Sequence, residues 1–348
     1  MGSGRAINFQ PIQNPDFLRQ RASWIRNTLD PMVAREGPHA IGCDVLLELD
    51  ELLRRLLDSK VSIEDIRYSR IHLAIQDIAG KATRWPCKVI ERCDELLDMW
   101  DNDYGDFNGE ALRTLLYEPG GRFHGIARPE DFTDTKLLTR WLQTPSVVLD
   151  PDRAKMTGDL GFAAGDWWIN TMFAFRDGII DSGDSRPGTV ADSDGVYALL
   201  LVDDVEIWGP SFDTFTYRPV TNNHGVLKLI AGTEESRRPV RVLRSHGVRS
   251  FWAPRAGVRY DGLHKVSGWR IYQKQGAGRM ICEITFKRLP CSTTADSILS
   301  RPFAEEIEDY KEYKKMRREA REKPSMHRAF RDMLDLDGTR ARRGSMRV

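Results

Sequence analysis

The clearest pattern in the first third of the chain is a helical one. Ile41, Val45, Leu46, Leu49, Leu52, Leu53, Leu56 and Leu57 recur at steps of three and four, which predicts an amphipathic helix. Ser62, with Asp65 three residues on, can cap a second helix through Ile66, Ile71, Leu73, Ile75 and Ile78, with Gly80 as its stop. Pro86 suits a first helical position, and Val89, Ile90, Leu96, Leu97 and Trp100 supply that helix's apolar face. Short helices are predicted around Leu112 to Leu116 and Leu137 to Leu142. Residues 1–145 therefore read as a helical domain, a small bundle whose leucine stripe is core.

After Pro145 the runs shorten. Trp167–Phe175, Val196–Val202, Phe212–Tyr217, Pro239–Leu243, Trp269–Tyr272 and Met280–Phe286 have the residue types of strands, and Gly183, Gly195, Gly209, Gly257, Gly276 and Gly278 separate them. One helical stretch, Gly225–Ala231, interrupts the series. Short strands of mixed spacing point to a closed or half-closed β-barrel, not a doubly wound sheet. The segment 302–348 differs again. Phe303–Glu322 is dense in Glu, Lys and Arg and reads as an exposed charged helix ended by Pro324. The tail carries Arg340, Arg342 and Arg343, either a nucleic-acid or nuclear-import patch or a solvated end. The expected class is α+β: helical bundle, barrel, charged helix.

Composition narrows the function. The 348 residues hold 52 Lys+Arg against 51 Asp+Glu, so net charge names no partner. An apolar fraction of 41% supports sizeable cores and excludes wholesale disorder. No apolar run approaches the roughly 20 residues of a membrane helix, so no membrane partner is expected. Met1–Asn14 lacks the apolar core of a secretory leader. The five cysteines are scattered without a Cys-x-x-Cys pair, so a reduced intracellular protein is expected. Charge is nonetheless distributed unevenly. From Asp181 to Thr216 there are eight acidic residues against Arg186 alone, whereas Ser236–Arg288 has thirteen Lys/Arg against Asp261 and Glu283. Such a chain can present a basic face.

Enzymatic signatures are missing. The seven histidines include no His-x-x-x-His pair. Asp101, Asp103, Asp106 and Glu110 resemble a calcium loop, but Asp106 stands where its glycine belongs and Leu112 where its closing Glu belongs. Gly276-Ala277-Gly278 is too short to cradle a phosphate, and no nucleophile elbow, Walker or Rossmann motif occurs. No cofactor, metal or catalytic residue is assigned, and the protein is expected not to be an enzyme.

One stretch carries specific information. Pro239-Val240-Arg241-Val242-Leu243-Arg244 is followed by Trp252-Ala253-Pro254, then by Arg259-Tyr260-Asp261-Gly262-Leu263-His264-Lys265-Val266 and Trp269. In order and spacing this resembles the second half of an SRA-YDG domain, the PUA-like barrel that reads methylated DNA. Upstream, Gly158–Gly178 resembles the family's entry, Val196–Leu201 its central strand, and Phe215-Thr216-Tyr217 the strand closing its pocket, so the resemblance covers residues 155–290 and implies an SRA-YDG-like barrel domain there. The resemblance implies a DNA partner, a methylated duplex, from which one modified cytosine is flipped into a concave pocket at a cost of a few kcal/mol. It also implies a nuclear, chromatin-associated reader.

Laid along the family's pocket motif, Gly-Gly-Tyr-Glu-Asp-Asp falls on Asp203-Asp204-Val205-Glu206-Ile207-Trp208. Tyr217 keeps one stacking tyrosine, Val205 replaces the other, and Trp208 stands at the aspartate that reads the cytosine amino group. The implied base pocket is Tyr217, Trp208, Asp204, Asp203 and Val205, with Trp208 or an aspartate taking over lost contacts. Gly178-Ile179-Ile180 lacks the family's histidine. Only Arg218–Asn223 stands where a long finger loop belongs, leaving Arg218, Asn222 or Asn223 as a wedge. Phosphate contacts are expected from Arg218, Arg241, Arg244, Arg249, Arg255 and Arg259. Tyr260, Asp261 and Gly262 are expected to shape a turn and its core contacts. Two alternatives stand beside the base reader: a sequence-independent nucleic-acid binder that does not flip a base, and an SRA-like barrel serving protein contacts. A protein partner of the helical domain is a further expectation. The oligomeric state is not legible.

Overall fold

A computed structural model describes residues 14–80, 85–105, 116–131, 133–184, 186, 188–203, 206–219, 224–273 and 280–322. The helical region holds α1 (Pro15–Trp24), α2 (Asp30–Glu36), α3 (Cys43–Leu57), α4 (Ile63–Ser69), α5 (Ile71–Ala79) and α6 (Cys87–Tyr104), with α7 (Asp134–Gln143) after it. The leucine stripe faces inward as expected: Leu49, Leu52, Leu53 and Leu56 pack with Ile66, Ile71, Ile75 and Leu96 in one core. Ser62 Oγ accepts from the Asp65 amide at 3.1 Å, the expected cap. The single helix expected over 62–78 is instead broken at Arg70, which takes the left-handed conformation (φ +58°) between α4 and α5. The helix expected near Leu112–Leu116 lies outside the described residues except for Leu116, which is in a turn.

The sheet region begins with β1 (Trp167–Trp168) and α8 (Thr171–Arg176). The strand expected over Trp167–Phe175 thus stops after two residues. Asn170 Oδ1 accepts from the Phe173 amide at 3.2 Å and so starts a helix within the apolar run. Then follow β2 (Gly188–Ala191), β3 (Val196–Leu201), β4 (Glu206–Ser211), β5 (Thr214–Tyr217), α9 (His224–Ile230), β6 (Val240–Ser245), β7 (Val258–Gln273) and β8 (Met280–Arg288), and after them α10 (Ala295–Leu299) and α11 (Ala304–Glu322). The strand order is β2-β3-β6-β7-β8-β5-β4, with β1 against β7, and β3 and β6 are parallel neighbours.

Among the described residues β2 and β4 do not pair, so the expected barrel is an open sheet. Both end strands have broken registers, at Val190/Ala191 and between Ile207 and Ser211, and β4 contains Pro210, which has no amide to donate. The central strands are buried on both faces. Leu200 and Leu243 join a core with Trp141, Phe173 and Tyr313, whereas Leu199, Leu201 and Val242 join Phe215, Phe286 and Val226 of α9 on the opposite face.

The first half of α11 is not the solvated element its composition suggested, whereas Lys311, Lys314, Arg318, Glu319 and Arg321 further along are exposed. The acidic first half is paired with basic residues of other elements: Arg70 Nη2 donates to Asp309 at 2.6 Å, Arg122 Nε to Asp309 at 2.8 Å, and Arg26 Nη2 to Glu308 at 2.5 Å. Tyr313 is buried in the core beneath the sheet. No helix among the described residues is long and apolar enough to cross a membrane.

Candidate nucleic-acid interface

The Tyr260-Asp261-Gly262 motif lies inside β7, not in a turn. Leu243 faces Tyr260 and Arg241 faces Leu263, so Asp261 and Gly262 together oppose Val242 in a bulge. Gly262 has φ +98°, a conformation that a side chain strongly disfavours. The bulge turns Asp261 into the protein, where it is fully buried.

There Asp261 is the centre of a buried ionic chain. Arg259 Nε donates to its Oδ1 at 2.6 Å, and Arg244 Nη1 donates to Oδ2. Arg244 also reaches Glu206 on β4, donating from Nε at 2.7 Å and from Nη2 at 3.1 Å. Arg259 completes its donors on the carbonyls of Trp252 (2.7 Å) and Arg301 (3.1 Å). Burial by itself raises the Asp261 carboxyl, but the charges of Arg259 and Arg244 outweigh it and hold the group below its ordinary value. Two cations and two anions thus neutralise one another in the interior, and the chain ties β4 to the middle of the sheet. His264, fully buried beside it, is pushed down to about 3, mainly by burial. Its Nδ1 lies 3.1 Å from the Gly262 carbonyl and so carries the proton.

Three of the expected phosphate contacts are therefore corrected. Arg244 and Arg259 serve the ionic chain. Arg241 donates to the carbonyls of Met156 and Gly158, each at 2.7 Å, and to that of Ala154, holding the segment that leads into the sheet. None of the three reaches solvent. Alternating positions on a strand buried on both faces give a guanidinium no outward direction, so it is kept only where carboxylates or carbonyls receive it.

Arg218 is half exposed but engaged: Nη2 donates to Glu283 at 2.5 Å, and Arg270 Nε donates to the other oxygen of the same carboxylate at 2.5 Å. Arg249 and Arg255 are exposed, both in the β6–β7 connection. Of the implied base pocket, Tyr217 is only 3% exposed and packs its ring near that of Phe286. Burial pushes its phenol up to about 12. In this structure Tyr217 is a core residue, because β5 pairs with β8 and turns it toward the apolar face. Asp203 is exposed, has φ +57°, and its carbonyl accepts from the Arg249 amide at 3.3 Å. Trp208 lies within β4. Asp204, Val205, Asn222 and Asn223 lie outside the described residues, as do Pro324, Arg340, Arg342 and Arg343. Glu206 and Glu283, which receive the arginines, were not singled out from the sequence. The available signal was that each is an acidic residue inside a strand of apolar type.

No family model matches the chain. Over 55 residues, 16% of its length, it is 42% identical to the UHRF1-like protein of Cryptococcus neoformans var. grubii, and the match spans 16% of that relative. Among solved structures it is similar to KRYPTONITE in complex with mCHG DNA and SAH, at 22% identity and a TM-score of 0.36, covering 47% of this chain and 40% of that one. It is similar also to the SUVH5 SRA domain in complex with hemimethylated CG DNA, at 18% identity and a TM-score of 0.33, covering 40% of this chain and 97% of that one.

Proposed function

We propose that the sheet region is an SRA-type module that binds duplex DNA and prefers methylated cytosine, in a nuclear, chromatin-associated protein without catalytic activity of its own. The observation that carries this reading is the link between the motif and the pocket loop: Asp261, through Arg244, holds Glu206 and with it the start of β4. The residues that name the resemblance thus support the segment to which the resemblance assigns the base. In the flipping form of the reading, a cytosine leaves the stack for a few kcal/mol and its amino group donates to Asp203 or Asp204, with Trp208 as the proposed stacking residue. Arg249 and Arg255 remain the proposed phosphate contacts of the original set.

The test is a binding series on unmodified, hemimethylated and fully methylated duplexes of one sequence at two salt concentrations. Tighter binding to a methylated duplex supports the reader. Equal binding to all three, weakening with salt, selects a binder that does not flip a base. A second reading, a scaffold for protein contacts, is favoured by the burial of Arg241, Arg244 and Arg259, which removes much of the expected basic face. It predicts no binding to any duplex at low salt.

A further inference from the structure

One sizeable cleft lies away from the implied base pocket. It measures about 770 Å³ and lies between α11 from Tyr310 onward, the start of α8, the end of β6 and the start of β7. One wall carries Lys311, Lys314, Lys315, Arg317, Arg318 and Arg321. Asp134 is the sole carboxylate of the lining, and Arg317 Nη2 already donates to it at 3.1 Å. Ser245, His246 and Asn170 also line the cleft.

We infer that this cleft is a groove for the phosphate backbone of a DNA duplex. The inference rests on the proposed DNA reading but locates a surface that the motif resemblance does not include. Three observations carry it. The first is the division of α11. Of its seven acidic residues, Glu306, Glu308 and Asp309 are taken up by Arg301, Arg26, Arg70 and Arg122, which bolts the first half in place, and none of the seven lines the cleft, where the helix presents only its basic side chains and tyrosines. A few cations near a helix C-terminus would complement its dipole. Six along one cleft exceed that need.

The second is spacing. Lys311, Lys314, Arg318 and Arg321 are the exposed members of this wall. They follow at steps of three and four, hence on one helix face, and span about 15 Å at 1.5 Å per residue. A row of that length suits a run of phosphates better than one small anion.

The third is continuity. Because β3 and β6 are parallel neighbours, with Leu201 opposite Arg244, Asp203 and Ser245 lie at the same end of the sheet. The turn after β6 joins the two places: His246 lines the cleft, and the Arg249 amide donates to the Asp203 carbonyl. The turn is also fixed to α11, since Tyr310 Oη lies 2.7 Å from His246 Nε2. His246 Nδ1 faces the Gly257 carbonyl at 3.3 Å, so it is Nε2 that accepts from the tyrosine. A backbone lying in the groove would bring a neighbouring nucleotide to Asp203.

The experiment replaces Lys311, Lys314, Arg318 and Arg321 by Gln in the full chain, with an all-Lys version of the same four positions as the charge-keeping control. Binding to unmodified and hemimethylated duplexes is measured across a salt series. The Gln variant is expected to lose affinity for both duplexes equally. Its log–log salt slope should fall by about one for each phosphate contact removed, and the all-Lys variant should keep the wild-type slope. An unchanged slope and affinity in a Gln variant with wild-type circular dichroism and thermal midpoint overturns the groove, as does a wild-type chain that binds no duplex at low salt. A wild-type chain without methyl preference, whose slope still falls in the Gln variant, defeats the methyl-reading proposal and supports the groove.

Discussion

Arg259 and Asp261 stand two residues apart on one strand, on the same face, with guanidinium Nε donating to carboxylate Oδ1 at 2.6 Å in a fully buried setting. A pair so placed does not face a ligand. Its partners are Arg244 and, beyond it, Glu206, so the arrangement stabilises the strand that leads away from the pocket loop.

Removing the central carboxylate should be severe. Asp261→Asn leaves Arg244 and Arg259 buried with incomplete countercharge, and breaking a buried pair from one side costs about 3–5 kcal/mol. Denaturant unfolding should show a lower midpoint. An unchanged midpoint would mean that the chain of charges does not hold β4.

Acid should destabilise the protein in two windows. His72 and His264 are held neutral in the folded state, pushed mainly by burial to about 4 and about 3. Below the ordinary histidine value near 6.5 the unfolded chain binds protons that the folded one does not, so stability falls with pH by up to about 1.4 kcal/mol per pH unit for each histidine. Asp261, depressed by its arginines, adds stability that is present above its unfolded value near 3.8 and is lost as pH falls through its lower folded value. Unfolding measured between pH 7 and pH 5 should show the histidine slope, and His264→Gln should flatten it. The Asp261 contribution should appear only below about pH 4.

Glu283 restrains two cations at the exposed end of β8. Glu283→Gln weakens the hold on Arg218 and Arg270, which then become available to phosphate. Affinity for unmodified duplex at low salt should rise severalfold, with a steeper salt dependence. Fluorescence anisotropy across a salt series reads both quantities, and an unchanged slope would show that this face does not meet DNA.

Tyr217 separates packing from reading. Tyr217→Ala should lower stability by about 3–5 kcal/mol, as for other large-to-small changes in a core. Tyr217→Leu, which keeps apolar bulk in the core but removes the ring, should keep the methyl preference, because no stacking on the base is asked of Tyr217. A preference lost in a folded Leu variant would return Tyr217 to the pocket.

Much of the molecule was legible as sequence because it depends on local periodicity. The leucine stripe of α3, the Ser62 cap and the apolar runs of β3, β6 and β8 are properties of near neighbours, and so is the Arg-Tyr-Asp-Gly order that carries the resemblance. What a charged side chain does depends on residues far along the chain. Glu206 is 38 residues from Arg244, and Asp309 is 239 residues from Arg70. A run of arginines therefore read as a basic face, while strand register and the bulge at Gly262 decided which of them turned inward to buried carboxylates and carbonyls. The basic cleft was equally hidden: only docking of the acidic half of α11 on the helical region leaves its other half facing the end of the sheet, and charge complementarity across that distance is settled by the folded chain alone.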